Sequence, residues 1–160
     1  MIITKTSSPM QRSVILTNYI PLQVRAKKEC QVADYYSIRK SDTSLLELTF
    51  DQTDHLIHRI TLIICAEYHK TSEEYQLPNE YTHGDLIVES SAEIDTAVFS
   101  CIIFRNAVKI TFSDLAVCKR VLSDNVVWEL SDQGKLVSLC VIDTTGRASE
   151  HCSVELSGYH

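Results

Sequence analysis

Hydrophobic positions along this chain recur mostly at every second residue, the spacing of strands with one buried face. Leu46, Leu48 and Phe50 alternate with Glu47 and Thr49; after a polar break, Ile60, Leu62 and Ile64 alternate with Arg59, Thr61 and Ile63. Two such runs around a polar turn predict a β-hairpin over residues 44–64. The same phrase returns about eighty residues later. Leu45-Leu46-Glu47-Leu48-Thr49-Phe50-Asp51-Gln52-Thr53-Asp54-His55-Leu56-Ile57 is echoed, with a turn one residue shorter, by Val127-Trp128-Glu129-Leu130-Ser131-Asp132-Gln133-Gly134-Lys135-Leu136-Val137. A second hairpin is predicted over 125–142, with Gly134 supplying the positive φ that such turns need. The echo suggests an internal duplication of a hairpin within one domain spanning 1–160.

Between and around the hairpins, Ser13–Thr17, Leu22–Arg25, Asp34–Ile38, Asp85–Val88 and Ala107–Phe112 read as further strands. Ala97–Phe104 is almost continuously apolar, which suits a central strand buried on both faces. Residues 69–84 break the alternation. They are polar, with Pro78 and Gly84 as punctuation, and predict a long surface loop with at most one helical turn. Leu115–Val121, after Ser113-Asp114, fits a short capped helix or a bent strand, and Ser149–Leu156 fits a short helix. The expected fold class is therefore α+β: mostly antiparallel sheet built from hairpins, with one or two short helices.

Length and composition fit that expectation. The chain has 160 residues, 44% hydrophobic and 22% charged, enough to bury a real core and too apolar for general disorder. The first ten residues lack a basic start and an apolar run, and no stretch reaches the length of a membrane span, so a cytoplasmic protein without membrane association is expected. The six cysteines are widely spaced, without a Cys-x-x-Cys, and mostly sit in apolar runs, as reduced core thiols do.

Charge is unevenly placed. Residues 1–40 hold seven Lys or Arg against two acids, whereas residues 71–104 hold no Lys or Arg and seven acids: Glu73, Glu74, Glu80, Asp85, Glu89, Glu93 and Asp95. With a net charge of −6 the chain is a poor match for nucleic acid, whose phosphates require Lys and Arg. An acidic stretch of this kind suits a basic protein partner.

Residue patterns supply little chemistry. His55-Leu56-Ile57-His58 on a strand points its two rings to opposite faces, so no metal is expected there. No Gly-x-Ser-x-Gly and no glycine-rich phosphate loop occurs, and no cofactor is implied. Asp51 and Asp132 open the two turns, where Asp bonds its own backbone, and Glu47 and Glu129 take matching places in the echoed phrase. Trp128 alternates with Leu130 as packing or as a partner anchor. A Cys/His catalytic site remains as an alternative, as does an oligomeric scaffold that pairs through a sheet edge.

The first phrase, Leu45 to Asp51 followed by Leu56-Ile57-His58-Arg59-Ile60-Thr61-Leu62, resembles a recurring pattern in small bacterial immunity proteins, including those of contact-dependent growth inhibition. Trp128–Val137 is similar to the same style of hairpin. The resemblance covers about a quarter of the chain and brings no catalytic residues. It implies a non-enzymatic binder that occludes a cognate, basic toxin domain, a nuclease for example. The expected contact set is the seven acids of residues 71–104, with Tyr75 or Tyr81 as a central anchor.

Overall fold

The computed structural model describes residues 3–15, 22–39, 44–65, 68–88 and 99–142. They form fourteen strands in chain order: β1 (Ile3–Ser7), β2 (Arg12–Ile15), β3 (Leu22–Ala26), β4 (Ala33–Arg39), β5 (Ser44–Asp51), β6 (Ile57–Cys65), β7 (Tyr68–Lys70), β8 (Thr82–His83), β9 (Asp85–Val88), β10 (Ser100–Ile103), β11 (Ala107–Thr111), β12 (Lys119–Ser123), β13 (Val126–Leu130) and β14 (Leu136–Ile142). No helix occurs among the described residues, so the α+β expectation is corrected to all-β. Over Leu115–Val121, where a short helix and a bent strand are both open, residues 115–118 run as bend and coil and the rest belongs to β12. The helix expected over Ser149–Leu156 lies outside the described residues. Among the described residues, no helix is long and apolar enough to cross a membrane.

The strands make a five-stranded sheet in the order β2-β3-β6-β5-β4, a seven-stranded sheet in the order β7-β10-β11-β14-β13-β12-β8, and a two-stranded ribbon of β1 with β9. Pairing is antiparallel except at the two ends of the larger sheet, where β7 runs parallel to β10 and β8 parallel to β12. The alternating residues face one shared core. Leu22, Val24, Leu46, Leu48, Phe50, Ile60 and Leu62 from the smaller sheet meet Cys101, Ile110, Val126, Trp128, Leu139 and Val141 from the larger. Trp128 is fully buried, which makes it packing and not a surface anchor. The central strand buried along its whole length is β13; β10, expected in that role, alternates and lies second from the edge.

The two sheets follow one plan. Adding eight to each strand number turns β2-β3-β6-β5-β4 into β10-β11-β14-β13-β12, and the same step carries β1 to its ribbon partner β9. The two hairpins agree in detail. Each has a bulge just before its last pair, Thr49↔Arg59 then Phe50↔Ile57 in one, Glu129↔Ser138 then Leu130↔Leu136 in the other. That register sets Asp51 opposite in role to Ser131, not Asp132: Asp51 Oδ1 accepts from Thr53 N, and Ser131 Oγ accepts from Gln133 N. Glu129 likewise corresponds to Thr49, not Glu47. The textual echo is thus two residues out of step at Glu47, because apolar alternation reads the same after a shift of two, and one residue out of step at Asp132, within the turn.

Each turn closes through one residue in the left-handed region, His55 (φ 59°) in the first and Gly134 (φ 74°) in the second. Gly adopts this conformation without a Cβ clash, whereas other residues resist it. Gly134→Ala should therefore lower stability by about 1 kcal/mol, read as a lower urea midpoint at unchanged slope.

Candidate functional site

The polar stretch between the hairpins is a strap. It leaves β7 at one edge of the seven-stranded sheet, crosses the outer face and joins the opposite edge as β8. Its backbone is tied down early: Thr71 N donates to Ile103 O, Arg105 N donates to Glu73 O, and the Asn106 amide brackets Tyr75, accepting from its N–H at 2.7 Å and donating to its C=O at 3.2 Å. The Tyr75 ring packs on Ala107, Leu122, Val127 and Cys140, edge-on to Phe104. Burial pushes the Tyr75 hydroxyl well above its ordinary range, with Cys140 and Glu129 adding to the effect. At the far end Gly84 N donates to Leu122 O.

Anchored this way, the strap exposes Glu73, Glu74, Leu77, Glu80 and Tyr81. Tyr81 stands edge-on to His83. Tyr75, expected as a possible anchor for a partner, is half-buried and spent on holding the strap. Glu89, Glu93 and Asp95 lie outside the described residues.

Asp85 is elsewhere. It is buried, and its carboxylate pairs with Arg12 Nη2 at 2.5 Å while accepting from Ser123 Oγ at 2.7 Å and Met10 N at 2.6 Å. Arg12 also donates to Ser123 Oγ and Ile57 O, and its guanidinium lies over Trp128, 5.9 Å from the ring centroid. The Arg12 backbone N–H donates to Asp124 Oδ2. Asp85 thus cannot meet a partner; it fastens β2, β6, β9 and β12 together. Sequence alone gave no sign of this pairing, since nothing local distinguishes Arg12 or Asp85 from surface charge.

Under the strap lies a second ion cluster. Glu129 accepts from Lys109 Nζ at 2.8 Å, Arg120 Nε at 3.1 Å and Ser138 Oγ at 2.9 Å. Burial opposes its ionisation, but the hydrogen bonds from Lys109 and Ser138 and the two cations outweigh burial and hold the carboxyl below its ordinary value.

Among the described residues, the Cys/His alternative has a place to stand at Cys30 and His58. The two line a common pocket on the outer face of the five-stranded sheet. His58 Nε2 meets Asp54 Oδ2 at 2.9 Å and its Nδ1 faces Lys28 O at 3.3 Å, so both ring nitrogens already face oxygens. Burial, then the Asp51 carboxylate, pushes the Cys30 thiol up, the wrong direction for a nucleophile. Cys140 is pushed up to about 12 by burial. Asp51, Asp54 and His58 bring ligand-type atoms within 4.8 Å of one another. Their bonds go to the turn and to the segment between β3 and β4, however: Asp51 accepts from Gln31 N, Val32 N and Thr53 N, and Asp54 accepts from Leu56 N and Lys28 Nζ. These bonds pull Asp51 far below its usual value against the effect of burial. The described cysteines carry no disulfide.

No family model and no curated protein matches this chain.

Two outcomes test this account. Asp85→Asn leaves Arg12 as an uncompensated buried charge and should cost about 3–5 kcal/mol, measured by chemical denaturation, with Arg12→Met/Asp85→Leu costing less than the single change. Glu129 contributes stability that is full above its ordinary value of 4.5 and is lost as pH falls through its lower folded value. Glu129→Gln should therefore be less stable than the parent at pH 7, and the gap should close in acid.

Proposed function

We propose that this chain is a non-catalytic immunity-type protein, which binds a basic toxin domain through the strap between β7 and β8 and occludes it. The observation that carries this reading is the strap surface. Glu73, Glu74 and Glu80 stand exposed around exposed Leu77 and Tyr81, and no Lys or Arg falls within residues 71–104. Carboxylates in such a rim steer a cationic partner and speed encounter, while an aromatic and an aliphatic side chain at the centre exclude water and slow release. The rigid sheet beneath keeps the arrangement in place before a partner arrives, which lowers the ordering cost of binding. The pattern of the first hairpin, similar to that of toxin immunity proteins, agrees with a binding role.

The test is co-expression with a toxic protein encoded just upstream of this chain, followed by co-purification and a growth-rescue assay. A tight complex and restored growth are expected; neither appearing would overturn the immunity reading. Within the complex, Glu73→Lys/Glu74→Lys/Glu80→Lys should slow association by about tenfold at low salt and flatten its salt dependence, with dissociation little changed. An association rate equal to the parent's would move the interface off the strap.

A further inference from the structure

The outer faces of the two sheets carry corresponding rows of side chains, and one row lacks what the other has. In the seven-stranded sheet the row runs Thr111, Ser138, Glu129, Arg120 across β11, β14, β13 and β12. Its single carboxylate, Glu129, gathers Ser138, Arg120 and the neighbouring Lys109. In the five-stranded sheet the matching row runs Arg25, Arg59, Thr49, Tyr35 across β3, β6, β5 and β4. Here two arginines stand directly opposite each other on neighbouring strands, and the position of Glu129 is taken by Thr49.

Like charges opposed across a strand pair destabilise a sheet. Arg25 donates its Nε to Gln23 Oε1, and neither arginine has a carboxylate partner among the described residues. The Thr49 hydroxyl is buried and lacks any hydrogen-bond partner, although Thr49 is only 3% exposed. An unbonded buried hydroxyl is itself costly. Both costs fall at one place. The segment between β3 and β4 borders this row and forms with it an open pocket of about 380 Å³, lined by Arg25, Arg59, Thr49, His58, Lys27 and Lys28, with Glu29 at its exposed rim. Lys28 is already paired with Asp54, whereas Lys27 has no ion-pair partner among the described residues.

We infer that this pocket is a binding site for a small molecule bearing a phosphate group. The phosphate would lie over the row, receiving the guanidinium N–H groups of Arg25 and Arg59 and the hydroxyl of Thr49, with Lys27 adding charge at the mouth. It would take the role that Glu129 plays in the other sheet. Two guanidinium groups and a hydroxyl suit a tetrahedral oxyanion with several acceptors. The volume lies in the range of small-ligand pockets and exceeds what one bare phosphate fills, so an organic portion fits as well. The site is on the opposite sheet from the strap, so its ligand and the proposed toxin occupy different surfaces.

The experiment is titration of the full chain with inorganic phosphate and, separately, with glycerol 3-phosphate, followed by amide chemical shifts and thermal melting. Saturable shifts centred on residues 25–30, 49 and 58–59, with a raised melting temperature, are expected, and stronger binding of the ester would assign the organic portion to the pocket. Equal binding would confine recognition to the phosphate group. Thr49→Val and Arg59→Gln should each weaken binding by about tenfold. Arg59→Gln should also melt higher than the parent without ligand, since it relieves the opposed charges; that gain shows a folded variant and separates loss of the site from loss of the fold. Shifts that do not saturate, shifts spread over all surface lysines, or undiminished binding by both variants would overturn the proposal.

Discussion

The buried pair of Arg12 and Asp85 is the constraint on which the arrangement of sheets depends. Removing two charges from water is expensive, and attraction offsets that cost only where further hydrogen bonds complete both partners. Here they come from different layers, Ser123 from β12, Ile57 O from β6 and Met10 N from the approach to β2, and they leave one guanidinium nitrogen, Arg12 Nη1, buried without a partner. The pair consequently tolerates only one placement of the five-stranded sheet, the ribbon and the edge of the seven-stranded sheet. Apolar packing between two sheets would accept a slide of one residue pair at little loss; a guanidinium aimed at a carboxylate and a carbonyl would not. The core supplies most of the favourable free energy, and the ion pair selects among the ways of burying it.

Against that shared frame the two halves differ in how they use their outer faces. The second half covers its face with the strap and fills it with its own ion cluster around Glu129. The first leaves its face open beside the segment between β3 and β4 and keeps two arginines uncompensated. Both faces are built on the same strand order and on hairpins with the same bulge, so the difference lies in side chains at matching positions: Thr49 against Glu129, and Arg59 against Ser138. A carboxylate in the row makes the face self-sufficient, and its replacement by a hydroxyl leaves the cations facing solvent.

Much of the fold was legible because period-two alternation survives in most strands. Both hairpins, the strands near residues 22–25, 34–38, 85–88 and 107–112, and the turn glycine Gly134 all follow from local pattern. What failed was non-local. Alternation cannot distinguish a register from one two residues away, so Glu47 takes the place of Thr49 as the match to Glu129, while Asp132 matches Asp51 by residue type although Ser131 is the counterpart of Asp51. A short apolar run such as 115–121 fits helix and strand equally. The loop expected over residues 69–84 holds for residues 71–81, and only its ends, β7 and β8, escape the pattern, because their parallel pairing with β10 and β12 has no turn signature. Asp85 read as surface charge because the arginine that buries it lies seventy-three positions earlier. Glu73, Glu74, Glu80 and Tyr81 were recognisable as exposed because their stretch has no apolar period; Arg25, Arg59 and Thr49 were not singled out, since only pairing brings them into one row.

The strap has a consequence in time as well as in space. Everything it rests on, from Ile103 and Asn106 to Val127 and Cys140, comes later in the chain than the strap itself. As the polypeptide is made, the acidic segment emerges with nothing to sit on, and it gains its final path only after the second hairpin has closed. Its ordered form therefore certifies that the rest of the second sheet is complete. Contacts so remote in sequence form slowly, and a chain stalled before Cys140 would carry every acid of the strap yet lack the surface that arranges them.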